Sequence, residues 1–350
     1  SDSLLGVKYI LSEKNPSESR SDYNENRALH ALMQELYTVY TETDDYVAFE
    51  NPYALSLAYT VDDAIKDFSF CELDEDGDED VIESSPFERL NAFVSVLLGS
   101  EEILQVFVPV DTASITDRNC NTGYVAEHTK YTPINTNIDA AITVSAQMPT
   151  DGYLFFHAPS DYPREVDIEV NGEKFGDFMA QDSNRIKTLG HFNAGESVSV
   201  EMTLASSNFY LKDDEYIFYY LDVELLRQVM SELAEEQYQI EEFTETHFEG
   251  TLTTSDAGET VLTTIPYDEG WNVYVDGEKV ETYKTMDALM AFDISEAGEH
   301  SLELDYMPKL YKPMHFISII SIVIFILICG AELVLKKTLF KARKAEVIED

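Results

Sequence analysis

Positive charge is scarce in this sequence: 23 Lys and Arg stand against 67 Asp and Glu, a formal net charge of −44. A surface so acidic repels phosphate backbones, which excludes nucleic acid as a partner. Cysteine is scarce too. Cys329 lies inside an apolar run, and the remaining two, Cys71 and Cys120, are left open by spacing alone as a disulfide or as separate thiols. Catalytic signatures are missing as well. The seven histidines (30, 128, 157, 191, 247, 300 and 315) form no HExxH motif and no pair four residues apart, which argues against a zinc site. GxSxG, P-loop and GxGxxG patterns do not occur. Carboxylates are so abundant that two of them close in sequence say nothing of a glycosidase dyad.

Long hydrophobic runs are absent with one exception. Residues 316–335, FISIISIVIFILICGAELVL, are apolar apart from Ser318, Ser321 and Glu332. Roughly 20 such residues suit a helix that crosses the hydrocarbon core, and no polar stripe interrupts them. Lys336, Lys337, Lys341, Arg343 and Lys344 follow at once, so residues 336–350 are read as a basic cytoplasmic tail and residues 1–315 as extracytoplasmic. With the tail's five basic and three acidic residues and Glu332 set apart, the outward part carries −45. Glu332 is expected near the inner boundary, one helical turn from Lys336. The chain opens SDSLLGVKYI, without a signal peptide, so earlier transmembrane segments are expected upstream.

A hydrophobic share of 44% and an aromatic share of 12% predict packed domains beneath the acidic surface, and not disorder. Residues 1–70 read as a small α+β unit, with Leu29, Leu32, Met33, Leu36 and Tyr40 at helical spacing. Residues 71–137 hold the acidic loop DEDGDED, which lacks the spacing of a calcium loop, then a Ser-Pro helix start at SSPFERL and connecting strands. From 138 to 222 alternating strands with Gly, Pro and Asn-Gly turns predict a first β-sandwich-like unit, and 250–308 predict a second, beyond a helical connector at 223–249. The fold class is therefore mainly β: two jelly-roll or β-sandwich-like units after a small α+β unit, then one transmembrane helix.

The two strand sets read as a repeat. EVDIEVNGEKF aligns with WNVYVDGEKV, which pairs Asn171-Gly172 with Asp276-Gly277 at a spacing of 105, and Ala194-Gly195-Glu196 pairs with Ala297-Gly298-Glu299 at 103. Such turns also serve any extracellular sandwich, so the turns alone do not separate duplication from common fold pressure.

Four stretches, LLGVKYIL at 4–11, ENPYALSLAY at 50–59, SPFERLNAFVSVLLG at 85–99, and IPYDEGWNVYVDGEKV at 265–280 followed by AGEHSLELDYMP, resemble the C-terminal part of the bacterial YfhO membrane-protein family. The resemblance implies a polytopic protein whose N-terminal bundle is similar to GT-C glycosyltransferases. These take sugar from a polyprenyl-phosphate carrier and decorate envelope polymers such as lipoteichoic acid. It also implies that the catalytic acid sits in a first outward loop that this chain does not contain, so no catalytic residue is assigned. A divalent cation in the parent enzyme is the one cofactor the resemblance leaves open. The partners it implies are the lipid bilayer, the protein's own N-terminal bundle, the sugar donor and an anionic envelope polymer. The outward charge would repel such a polymer unless cations bridge it. A non-catalytic glycan-binding or scaffolding ectodomain of an assembly or transport protein is the alternative.

Two groups of residues are candidates for contact. Trp271, with Tyr267 and Asp268, has the composition to stack a sugar ring and accept its hydroxyls. Alternation instead places Trp271, Val273 and Val275 on one strand face as core, and this is the favoured reading. Lys309, Tyr311, Lys312 and His315 fall where aromatic and basic side chains prefer the headgroup region. Residues 1–130 are expected to fold poorly alone.

Overall fold

The computed structural model describes the chain apart from residues 1, 19, 21, 74–78, 82–84, 161, 163, 180–185, 205–206 and 350, with backbone alone at 71–73, 79–81 and 338–349. Antiparallel strands dominate and form two sandwiches. In the first, a five-stranded sheet runs in the order Glu173–Phe178, Val166–Val170, Ser197–Leu204, Ala140–Gln147, Thr112–Arg118. Its four-stranded partner runs Ile186–Phe192, Gly152–His157, Phe218–Leu221, Phe107–Val110. Inward residues of both sheets, among them Ile142, Val144, Val200, Phe156 and Phe218, close one core. Strict alternation along Ser197–Leu204 buries every second side chain, the pattern expected where only one sheet face meets the core.

The second sandwich has a five-stranded sheet in the order Gln239–Phe243, His247–Thr254, Gly298–Tyr306, Trp271–Val275, Glu278–Val280. Opposite it stand Thr282–Thr285, Leu289–Ile294, Glu259–Pro266 and Ala58–Val61. Leu252, Val273, Phe292, Leu302 and Leu304 fill its core. The last strand of the four comes from far upstream. It pairs with Glu259–Pro266 as Phe218–Leu221 pairs with Gly152–His157 in the first sandwich.

The repeat extends to hydrogen bonding. Asn171 and Gly172 have φ of 50° and 82°, and Asp276 and Gly277 have 52° and 81°, the two positive dihedrals of a type I′ hairpin. Asn171 Oδ1 accepts from Ser199 N–H at 2.9 Å, and Asp276 Oδ1 accepts from Ser301 N–H at the same 2.9 Å. The two hairpins thus match in turn type and in the side-chain bond to the neighbouring strand.

Three helices pack against the sandwiches, and two of them join the pair. Helix α1, Tyr23–Leu36, lies over the strands Ile186–Phe192 and Glu173–Phe178. Helix α2, Pro86–Leu97, starts as its sequence requires: Ser85 accepts from the N–H groups of Phe87 and Glu88, and the Glu88 carboxylate accepts from Ser85 N–H. Helix α3, Val223–Leu233, is capped by Asp222. Phe87, Phe93, Leu97, Val229 and Met230 from α2 and α3 share a third core with Tyr219 of the first sandwich and Leu262 of the second.

Some expectations shift. Tyr40 does not continue α1: the helix ends at Leu36, and the β-branched run of Thr38, Val39 and Thr41 forms a strand of a small sheet with Tyr46–Glu50 and Tyr9–Glu13. Cys120 is a free, half-buried thiol, and the side chain of Cys71 lies outside the described residues, as does the loop 74–78 within DEDGDED. Helix α4, Tyr311–Glu349, has an apolar stretch Tyr311–Lys337 with mean hydropathy 2.7, which contains the run at 316–335. Glu332 pairs with Lys336 at 2.7 Å, as the spacing of one turn predicts.

Candidate functional site

Strand pairing brings both groups of candidate residues to one end of the second sandwich. Trp271 opens its strand opposite Tyr306, the last residue of the strand that leads into α4. The Trp271 ring lies 4.9 Å from Tyr306 and 6.2 Å from Phe248, tilted to both. Trp271 is half-buried against the second core beside Tyr267, while Val273 is fully buried. The core reading of the strand therefore holds for Val273, and Trp271 forms the core's outer edge.

The turn before Trp271 is tightly specified. Asp268 Oδ1 accepts from Gly270 N–H at 2.7 Å, its backbone carbonyl accepts from Trp271 N–H, and Gly270 O accepts from Met307 N–H. A Cβ at Gly270 would come within 2.7 Å of the Tyr306 ring and 2.8 Å of the Asp268 carboxylate. Glycine is thus required by close approach. Asp268 spends one carboxylate oxygen on this turn, which leaves the other facing solvent.

Lys309 is not free: its ammonium pairs with Glu269, whose charge raises the lysine pKa. Tyr311 and His315, one helical turn apart, stack with centroids 5.9 Å apart and rings 13° from parallel. Both are exposed, as is Lys312. The Glu269–Lys309 contact ties the Trp271 loop to the segment that leads into α4, and Tyr311 and His315 stack only on each other.

A feature invisible in the sequence lies between α3 and the second sandwich. Glu236 and Glu259 bring their carboxyls together in a cleft of about 580 Å³ lined by Asp62, Asp63, Glu232 and Asp256. Glu236 accepts from Ser255 N–H at 2.8 Å and from the Thr60 hydroxyl at 2.9 Å, which holds it ionised. Glu259 has less support: Oε1 accepts from Asp256 N–H at 3.1 Å, and Oε2 is buried without a partner among the described residues. Burial and the Glu236 charge push the Glu259 carboxyl up to about 7, so it is the member of the pair that carries a proton. In a chain with 67 acidic residues no local signal marks this pair. Among the described residues no group of three or more His, Cys, Asp or Glu side chains is arranged to hold a metal ion.

Comparison with known proteins gives a family and little else. The family model described as "Bacterial membrane protein YfhO" matches residues 1–318. No curated protein matches the chain. Among solved structures, the CBM32-1, CBM32-2 and M60 catalytic domains of Clostridium perfringens ZmpB align at 10% identity and a TM-score of 0.24, over 56% of this chain and 36% of that one. This chain therefore spans little more than a third of that protein's length. A conserved protein of unknown function from Pseudomonas aeruginosa PAO1 aligns at 8% identity and a TM-score of 0.15, over 56% and 93% of the two chains. A cupin 2 conserved barrel domain protein from Leptotrichia buccalis aligns at 13% identity and a TM-score of 0.11, over 57% and 99%.

Proposed function

The chain belongs to the YfhO family of bacterial membrane proteins, and from that membership we infer that it is the outward-facing part of a membrane glycosyltransferase that decorates an envelope polymer. The observation that carries the reading is the family match from residue 1 to residue 318, on a pair of β-sandwiches joined directly to a helix apolar enough to cross a bilayer. In this reading residues 1–315 face outward and the basic residues after the span stay in the cytoplasm. Sugar comes from a polyprenyl-phosphate carrier, and the acceptor is a polymer of the lipoteichoic acid kind. The sandwiches position acceptor glycan, and Tyr267, Asp268, Trp271, Lys309, Tyr311, Lys312 and His315 hold the second sandwich at headgroup depth. No residue of this chain is assigned to bond making or breaking.

The test is a transfer assay on the intact parent protein in membranes supplied with a polyprenyl-phosphate sugar, paired with glycan analysis of envelopes from a deletion strain. Transfer in the assay, with a missing sugar substituent in the deletion strain, is expected. No transfer together with unchanged envelope glycans rejects the enzyme reading and favours a scaffolding ectodomain.

A further inference from the structure

A second cavity opens beside α2. It encloses about 440 Å³, within the range of about 300–1,000 Å³ typical of small-molecule sites. Three aromatic rings, Phe68, Tyr216 and Tyr219, line it together with the polar side chains of Glu88, Arg89 and Gln105. Phe87 stacks on Tyr219 from within the core at 4.5 Å, and Tyr216 meets the same ring edge-on at 6.3 Å. The aromatic walls are therefore braced from behind.

Two observations point to a ligand. Tyr219 is fully buried, and its hydroxyl has no hydrogen-bond partner among the described residues. The Ser85 oxygen near it already accepts from the N–H groups of Phe87 and Glu88, so Ser85 can donate to the Tyr219 oxygen but offers no acceptor for the Tyr219 proton. A buried O–H without an acceptor is costly, so an acceptor arriving in the cavity recovers that loss. Arg89 is the second. In a chain with nearly three acids for every base, its guanidinium forms no ion pair with a described residue and stands at the cavity wall. Its planar set of N–H donors is therefore available to a ligand in the cavity.

We propose that this cavity binds one or two hexose units of an uncharged saccharide, a site that deepens the reading of this chain as acting on envelope glycans. Aromatic faces receive the apolar C–H face of a pyranose ring. Tyr219 and Arg89 donate to ring hydroxyls, and Glu88 accepts from them through the carboxylate oxygen that its helix cap leaves unused. The surrounding negative charge selects against anionic sugars. A fatty chain would leave Arg89 and Glu88 unmatched.

Saturation-transfer NMR on the full chain in nanodiscs, with glucose, galactose, N-acetylglucosamine, glucuronic acid and octanoate as separate probes, tests this. Transfer from at least one neutral hexose is expected, weakened about tenfold or more by Arg89→Ala and about fivefold by Tyr219→Phe. Tyr219→Phe keeps the ring packing, and its melting temperature is expected to equal or exceed that of the parent chain, which separates lost recognition from lost folding. No transfer from any neutral hexose, transfer from glucuronic acid or octanoate alone, or neutral-sugar binding indifferent to both substitutions overturns the proposal. Binding that fails while the parent enzyme still transfers sugar rejects this cavity alone. Binding that persists when transfer fails rejects the enzyme reading and keeps the site.

Discussion

Lys187 Nζ donates to Glu25 Oε2 at 2.6 Å, and the two side chains are 1% and 14% exposed. The pair joins the first turn of α1 to the strand Ile186–Phe192, and so fixes the N-terminal unit on the first sandwich. Burial raises the Glu25 carboxyl pKa against the pull of Lys187, which shows how much desolvation the pair must overcome. Lys187→Met alone leaves Glu25 buried without its partner and is expected to cost about 3–5 kcal/mol in chemical denaturation. The double replacement Lys187→Met with Glu25→Leu is expected to recover most of that loss. A single variant as stable as the parent would refute the pair's role.

His300 gives the second hairpin a pH dependence that the first lacks. Its Nδ1 meets Asp276 Oδ2 at 2.7 Å and its Nε2 meets Glu296 O at 2.9 Å, two acceptors that together favour the doubly protonated ring and raise its pKa. A raised histidine pKa stabilises below the unfolded value near 6.5 and is lost as pH rises through the folded value. Asp276→Asn keeps the turn, since Asn171 makes the same bond in the first sandwich. Thermal melts at about pH 6 are expected to show a loss of ~1 kcal/mol for this variant, fading at alkaline pH, because Asp276 is half exposed and screened.

Glu259 shares that pH dependence, although here it is the neutral form that the fold favours. Its carboxyl is raised from 4.5 to about 7, so the folded chain holds its proton more tightly, and this contribution to stability is present below the unfolded value and lost as pH rises through about 7. Glu259→Gln is expected to raise the melting temperature above neutral pH, by roughly 1 kcal/mol or less after solvent screening, and to match the parent near its unfolded pKa. Equal melting curves at every pH would refute the raised Glu259 pKa.

Trp271→Ala removes the ring that covers the base of the second core against Tyr306 and Phe248. A loss of about 2–3 kcal/mol is expected by urea denaturation, at the lower end of aromatic core truncations because the ring is half-buried.

Residues 1–130 expressed alone are expected to show no cooperative transition by calorimetry. Ala58–Val61 belongs to a sheet of the second sandwich, and Phe107–Val110 and Thr112–Arg118 belong to the two sheets of the first. Cut from their partners, these strands leave open edges and uncovered apolar faces.

Period and turn chemistry were readable locally. Alternation along AITVSAQ and SVSVEMTLA, the Asn-Gly and Asp-Gly turns, the Ser-Pro-x-Glu start of α2 and the unbroken apolar run at 316–335 each carry their physical cause within a few residues. The end of α1 was not readable, because Tyr40 keeps the helical spacing while its β-branched neighbours favour an edge strand that only pairing with Tyr46–Glu50 stabilises.

By itself the sequence determined the mainly β class, the two sandwich-like units, the apolar C-terminal helix and the family, since each rests on periodicity, composition or ordered motifs along one chain. Only the tertiary structure decided which distant strands complete each sandwich, that Lys309 is held by Glu269, that Glu236 and Glu259 share a cleft, and that Tyr219 and Arg89 stand in one cavity. Those relationships join residues far apart in sequence, and strand pairing and burial, which no local pattern encodes, bring them together.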